Sequence, residues 1–235
     1  MSKGKLSIIV MIAFFAAFLL SACSQRKDTL DLPEGERRQL ERMEKTDKEE
    51  VEAEDPSKLP MARVKKFYVY ADRGYFKNHF IPSGWMGDYG DIKFADGWSE
   101  NAYSRRTCIR IIYTAKKKQG AGWAGVYWQE PANNWGNIKG GYNLTGAKKL
   151  TFYAKGENGG ELVTEFKMGG IGGEYSDSTA ASIGPIALTK DWKKYTIDLE
   201  HDDLSNVIGG FCFVLSAMEN PEGATFYIDE IAYEK

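Results

Sequence analysis

From Phe67 onward the chain is cut into short segments by glycine and proline. The breaks fall at Gly84, Gly97, Gly120-Ala121-Gly122, Gly140-Gly141, Gly156, Gly159-Gly160, Gly169-Gly170, Gly172-Gly173, Gly209-Gly210 and Pro221. No amphipathic helix fits between them. The intervening runs are rich in β-branched and aromatic residues: Thr107–Thr114, Gly122–Gln129, Lys149–Ala154, Leu162–Met168, Lys194–Leu199, Gly210–Ser216 and Thr225–Tyr233. Short strands with turn punctuation predict an all-β domain, a sandwich, jelly roll or barrel. The roughly 170 residues available are ample for one such core.

Strand alternation assigns faces. Tyr195, Ile197 and Leu199 share one side of their run, as do Phe226 and Ile228, and these sides face a core. In the run Leu162 to Met168, Leu162, Phe166 and Met168 form one set, and Val163, Glu165 and Lys167 the other. In Trp123 to Gln129, Ala124, Val126 and Trp128 form the core set. Trp123, Gly125, Tyr127 and Gln129 face the opposite way, and a glutamine beside two aromatics and a glycine is a composition for contact.

The segment Gly122 to Gly136 is the densest in chemistry. It holds Trp123, Trp128, Trp135 and Tyr127 among Gln129, Asn133 and Asn134. Sugars present flat C–H faces rimmed by hydroxyls, so a glycan site needs aromatic planes and two-way hydrogen-bonding amides. Trp123, Tyr127, Gln129, Asn133, Asn134 and Trp135 are the candidate ligand-binding residues. Glu165 and Lys167, two apart on one strand face, either join them as polar contacts or form a solvent-facing strand.

The N-terminus has its own logic. Lys3 and Lys5 precede an apolar run from Leu6 to Leu20. At about fifteen residues it is short for a membrane span and suits a signal peptide. The run ends in Leu20-Ser21-Ala22-Cys23, which resembles a bacterial lipobox. That resemblance implies acylation of Cys23, a mature chain starting there, and a membrane anchor outside the cytoplasm, since several acyl chains hold stably where one does not. Ser24 after the cysteine implies the outer membrane if the envelope is Gram-negative. Residues 23–62 lack aromatics and are dominated by Glu, Lys and Arg, a composition that cannot bury enough surface to fold alone. They are expected to be a flexible or partly helical tether. The expected order is thus signal peptide 1–22, charged tether 23–62 and β domain 63–235.

Charge and cysteines narrow the partners. Without Lys3 and Lys5 the chain has 29 basic against 33 acidic residues. This mild acidity is no footprint for nucleic acid. Cys108 and Cys212, left over in an oxidising compartment, either form a disulfide or remain buried thiols. No cysteine–histidine spacing suggests zinc. Met168 to Gly173 is glycine-rich but opens no helix and lacks a P-loop lysine, so it reads as a loop.

Three further segments carry a resemblance. They are Leu150-Thr151-Phe152-Tyr153-Ala154-Lys155-Gly156, then Trp192-Lys193-Lys194-Tyr195-Thr196-Ile197-Asp198-Leu199, and the closing strand Thr225 to Glu234. Their order, after an aromatic-rich middle strand, resembles carbohydrate-binding-module-like jelly rolls of the galactose-binding-domain type. The resemblance spans Phe67 to Glu234. It implies a jelly-roll β-sandwich that binds glycans on a concave sheet face or loop edge without catalysis. No cofactor is required, although a structural calcium is common in such domains. Asp229 matches a position that often offers a calcium ligand, and Asp72, Asp88 and Asp91 could complete six to eight oxygens. The alternative for these four is solvated loop carboxylates.

The leading expectation is a non-catalytic, membrane-anchored glycan-binding lipoprotein of the envelope. A structural or protein-interaction role on the same sandwich is the alternative. A glycan-active enzyme comes last, because no two carboxylates are paired by the sequence as a glycosidase requires.

Overall fold

The computed structural model describes residues 65–235. Cys23, the signal segment and the charged tether lie outside the described residues. Thirteen strands follow in chain order: β1 Lys66–Tyr70, β2 Ile81–Gly87, β3 Ile92–Trp98, β4 Cys108–Tyr113, β5 Trp123–Gln129, β6 Lys149–Gly156, β7 Leu162–Val163, β8 Glu165–Gly169, β9 Ala180–Ile183, β10 Ile186–Ala187, β11 Lys193–Asp198, β12 Gly209–Ser216 and β13 Ala224–Glu234. One sheet has six strands, in the order β11-β6-β13-β4-β3 with β1 also paired to β13. The other has five, in the order β2-β5-β12-β8-β9, and β7 and β10 form a small pair. All named pairings are antiparallel. The domain is an all-β jelly-roll sandwich, as the turn punctuation predicts.

β13 organises its sheet. Ala224 to Ile228 pair with β4, and Ile231 to Glu234 pair with β1 along the same edge. A bulge separates the two halves, with Glu230 at φ 50°. Such a bulge lets one long strand serve two short partners while re-aiming its side chains.

The core is a stack of aromatic rings between the sheets. Trp128 packs at 5.4 Å from Phe211 and 6.2 Å from Phe213 on its own sheet, and 5.7 Å from Phe94 opposite. Phe152 of β6 meets Phe166 at 4.6 Å and Phe211 at 5.1 Å across the gap. Ala124, Val126, Tyr195, Ile197, Leu199, Phe226 and Ile228 all join this core, as alternation assigns them. Val163 is a correction: it is fully buried in the core rather than outside it. The chain breaks at Thr164 between β7 and β8, which resets the parity that a continuous strand would have carried.

Cys108 and Cys212 are not bridged; both are buried free thiols. Their neighbours Ile109, Phe211 and Phe213 point into the core, so the two cysteines point outward from opposite sheets, with both layers between them. Stacked sheets lie about 10 Å apart, beyond the reach of a disulfide.

The four aspartates proposed for calcium are corrected too. Among the described residues no group of three or more His, Cys, Asp or Glu is placed to hold a metal. Each carboxylate instead accepts from the protein itself. Asp88 takes the backbone N–H groups of Gln119, Ala121 and Gly122 at 2.6 to 3.0 Å. Asp91 accepts from the Thr114 hydroxyl and the Lys117 N–H. Asp72 holds the Arg73 N–H, the Thr107 hydroxyl and the Arg106 guanidinium. Asp229 accepts from the Ser104 N–H at 3.0 Å and the Glu230 N–H at 2.8 Å. The four carboxylates are thus engaged by the protein's own donors and are not gathered around one point among the described residues.

Two predictions follow from this packing. Trp128→Ala should cost roughly 3–5 kcal/mol in urea denaturation. Trp123→Ala, at a side chain 40% exposed, should cost less than about 1 kcal/mol. Equal losses would invert the face assignment. The second concerns Asp229, whose carboxyl is pushed up to about 7 by burial, against the Ser104 and Glu230 N–H bonds. An unfolded aspartate titrates near 3.9. The folded chain therefore holds this proton more tightly. The stability Asp229 confers is full below about pH 4, declines as pH rises toward 7, and is level beyond. Asp229→Asn should remove that decline, so urea midpoints of variant and parent, compared at about pH 4.5 and 7.5, should diverge in the variant's favour only at the higher pH. A constant difference would disprove the assignment.

Candidate functional site

The outer face of the five-stranded sheet collects most of the residues singled out above. On β5, Trp123, Gly125, Tyr127 and Gln129 point outward because Ala124, Val126 and Trp128 point in. Registration with β2 sets Met86 opposite Gly125 and Gly84 opposite Tyr127. On β12, Ser216, Val214 and Cys212 stand opposite Trp123, Gly125 and Tyr127. β8 then adds Glu165 opposite Val214 and Lys167 opposite Cys212. The face therefore has a floor of Gly125, Met86 and Val214, with Cys212 and Tyr127 on the same side buried beside Ile171 and Ile208. A Cβ on Gly125 would lie 2.6 Å from the Phe213 carbonyl and 3.0 Å from the Met86 methyl, so glycine keeps the centre low.

The exposed rings stand at the two ends. Trp123 is 40% exposed at the start of β5, and Trp135 is 43% exposed in the loop after its end. Six residue steps along the strand separate Trp123 from Gln129, a span of about 20 Å. Trp135 meets the edge of Tyr127 at 6.1 Å.

Tyr127, Gln129 and Asn134 are not contact residues. Tyr127 is buried and its hydroxyl donates to the Gly169 carbonyl at 2.9 Å. Ile171 packs over it. Gln129 is fully buried; its Nε2 donates to the Asn134 carbonyl and its Oε1 accepts from the Ser83 hydroxyl. The buried Asn134 side chain donates to the carbonyls of Glu130 and Ile138 and accepts from the N–H groups of Gly136 and Ile138. These amides shape the loop that presents Trp135. Asn133, by contrast, is exposed with its backbone N–H on Ser83.

Glu165 and Lys167 lie on this face, with Lys167 Nζ 4.0 Å from Glu165 Oε2 and 5.7 Å from the Tyr127 ring. One end is closed by the loop after β8, whose organiser the sequence reading passed over. The Asp177 carboxylate accepts the N–H groups of Ile171, Ile208 and Gly209 at 2.6 to 3.0 Å. Burial nevertheless raises its pKa, while those bonds and Lys167 oppose the rise. Tyr175 N–H donates to the Gly136 carbonyl, which ties this loop to that of Trp135. Met86, Val214, Ile171 and Asp177 are thus the site residues that sequence reasoning missed. Met86 was hidden inside the Gly84–Gly87 turn signal.

The arrangement can stack planar faces at both ends and hydrogen-bond between them. A cavity of about 340 Å³ lies elsewhere, at the edge between the sheets, lined by Arg73, Tyr75, Phe76, Asp96 and Trp128 among others, and it contains none of the predicted ligand residues.

No protein-family profile matches the chain, and no curated protein sequence matches it. Among solved structures, a family 30 carbohydrate-binding module is similar with a TM-score of 0.50 at 16% identity, over 74% of this chain and 89% of that one. The family 30 module of a cellulosomal cellulase of Clostridium thermocellum reaches a TM-score of 0.48 at 16% identity, over 72% of this chain and 96% of the module. A family 11 carbohydrate-binding module from a Clostridium thermocellum cellulosomal cellulase reaches 0.46 at 16% identity, over 73% and 95%. The described domain thus shares its β-sandwich fold with a carbohydrate-binding module.

Proposed function

We propose that this chain is a non-catalytic glycan-binding lipoprotein of the bacterial envelope. Its lipid anchor is Cys23, its tether is residues 23–62, and its ligand is a polysaccharide laid along the outer face of the five-stranded sheet. Outer-membrane placement follows if the envelope is Gram-negative. The observation that carries the reading is the pair of exposed tryptophans, Trp123 and Trp135, at either end of a low floor of glycine and apolar side chains. Amphipathic rings offer large contact area at small entropic cost. Asn133, Glu165 and Lys167 supply the exposed or half-exposed polar groups a sugar rim requires. The likeness in fold to a carbohydrate-binding module supports the same reading.

An open face of this kind binds weakly, with Kd values of roughly 10 μM to 1 mM, or about −7 to −4 kcal/mol. The test is retention of the full chain on a panel of immobilised polysaccharides. Trp123→Ala and Trp135→Ala should each weaken retention about tenfold, near 1.4 kcal/mol, with melting temperatures little changed. Gln129→Ala should weaken retention as well, but through the Trp135 loop, and with a stability loss of about 1–3 kcal/mol from stranded buried partners. A folded chain that no glycan retains would sink the proposal in favour of a protein-interaction role for the same face.

A further inference from the structure

The opposite side of the sandwich carries a second aromatic surface, independent of the first. On the outer face of the six-stranded sheet, the buried Tyr227 of β13 stands directly opposite the half-buried Arg110 of β4 on one side and Lys155 of β6 on the other, so Tyr227 seats the cations while Arg110, Lys155 and the half-buried Trp98 and Trp192 form the accessible part of the row. The row extends both ways. The Arg110 guanidinium lies 4.4 Å from the centre of the Trp98 ring. The Lys155 ammonium lies 4.9 Å from Tyr227 and 5.7 Å from Trp192, which itself sits edge-on to Tyr227 at 6.5 Å. Tyr103, 43% exposed, flanks the row, stacked on Tyr153 at 3.6 Å and 6.0 Å from Trp192.

Nearby cations are neutralised: Arg105 pairs with Glu230, Arg106 with Asp72, and Lys66, Lys149 and Lys194 converge on Glu234. Among the described residues, Arg110 and Lys155 have no carboxylate within ion-pair distance. Arg110 Nε is buried without a hydrogen-bond partner, and the Tyr227 hydroxyl beside the guanidinium donates to Glu157 at 2.5 Å, so one carboxylate reaches the centre of the row while the ends stay cationic. Two cations held by aromatic faces, two strand spacings or about 10 Å apart, with rings between and beyond them, complement a ligand that alternates flat apolar faces with negative charge.

We propose that the Trp98–Arg110–Tyr227–Lys155–Trp192 row is a second binding surface, for an acidic polysaccharide bearing uronate carboxylates. This surface does not rest on the reading given for the five-stranded face, and either can fail alone. The probes are polygalacturonate and a neutral β-glucan, with anionic phospholipid vesicles and a single-stranded oligonucleotide as competing polyanions, each titrated against the full chain. Polygalacturonate should bind, and the binding should weaken at least fivefold between low and high salt, because exposed charge pairs are screened. Lys155→Gln and Trp192→Ala should each reduce it at least fivefold, Lys155→Arg should restore it, and Trp123→Ala should leave it unchanged. Unaltered melting temperatures in the lysine variants separate lost binding from lost folding. Three results would overturn the proposal: no uronate binding, binding abolished equally by Trp123→Ala, or vesicles or oligonucleotide bound more tightly than polygalacturonate.

Discussion

The inward seat of Trp128 is the interaction on which the rest of the domain depends. Its ring touches Phe94 of one sheet and Phe211 and Phe213 of the other. A strand has a period of two, so one anchored side chain fixes the direction of every other in that strand. With Trp128 inward, Trp123, Gly125, Tyr127 and Gln129 have no choice but the outer face. The candidate site is in this sense a consequence of core packing. A one-residue slip of β5 would place Tyr127 in the core and Trp128 in solvent, and would take the Tyr127 hydroxyl away from the Gly169 carbonyl to which it donates.

A second constraint comes from buried polar groups, which this domain uses to fix loops. Asp88, Asp177, Asn134 and Asp229 each gather two or more backbone groups, Asn134 within its own loop and the three aspartates at least one from another connection. Loops without regular pairing leave N–H groups that must find acceptors when covered. A single carboxylate or amide supplies several acceptors at once. The exposed tryptophan at one end of the face therefore depends on the buried Asn134 and Gln129 behind it, and the closure at that end depends on Asp177.

The same physics explains what the sequence did and did not make legible. β4, β5, β6, β11, β12 and β13 appear within one or two residues of their expected bounds, because each is an uninterrupted β-prone run. β1 was not singled out, and β2 and β3 were obscured by Gly84 and Gly97, which read as turns. Gly84 is within a strand because a Cβ there would lie 2.8 Å from atoms of both Tyr127 and Gln129. Close backbone approach and a turn ask for the same residue, and sequence alone does not separate them. The polar residues misled for a related reason. Gln129 and Asn134 have the donor and acceptor set a sugar would need, and that same set serves buried carbonyls. Alternation told which way Gln129 points, but not that Ser83 and the Asn134 backbone already await it there. Likewise the aspartates offered to calcium are spaced as ligands could be, and three-dimensional placement shows each turned toward donors of a neighbouring connection.

The two outer faces differ in how their aromatics are held, and that difference bears on what each can recognise. On the five-stranded face, Trp123 and Trp135 are exposed and the one nearby cation, Lys167, has Glu165 beside it. Recognition there must come from ring area and neutral hydrogen bonds, which suits hydroxyl-rimmed surfaces. On the six-stranded face the rings are already engaged by Arg110 and Lys155, so their stacking area is smaller, and among the described residues neither cation has a carboxylate within ion-pair distance, Glu157 being taken by the Tyr227 hydroxyl. A cation resting on an aromatic face keeps its attraction for an anion on its open side and is held still in the meantime. Such a surface gains little from a neutral sugar, which would have to displace the cations to reach the rings. It gains most from a ligand that brings its own negative charge. The fold thereby carries two chemically separate aromatic faces, and on the two proposals made above the charge of the ligand is what would distinguish them.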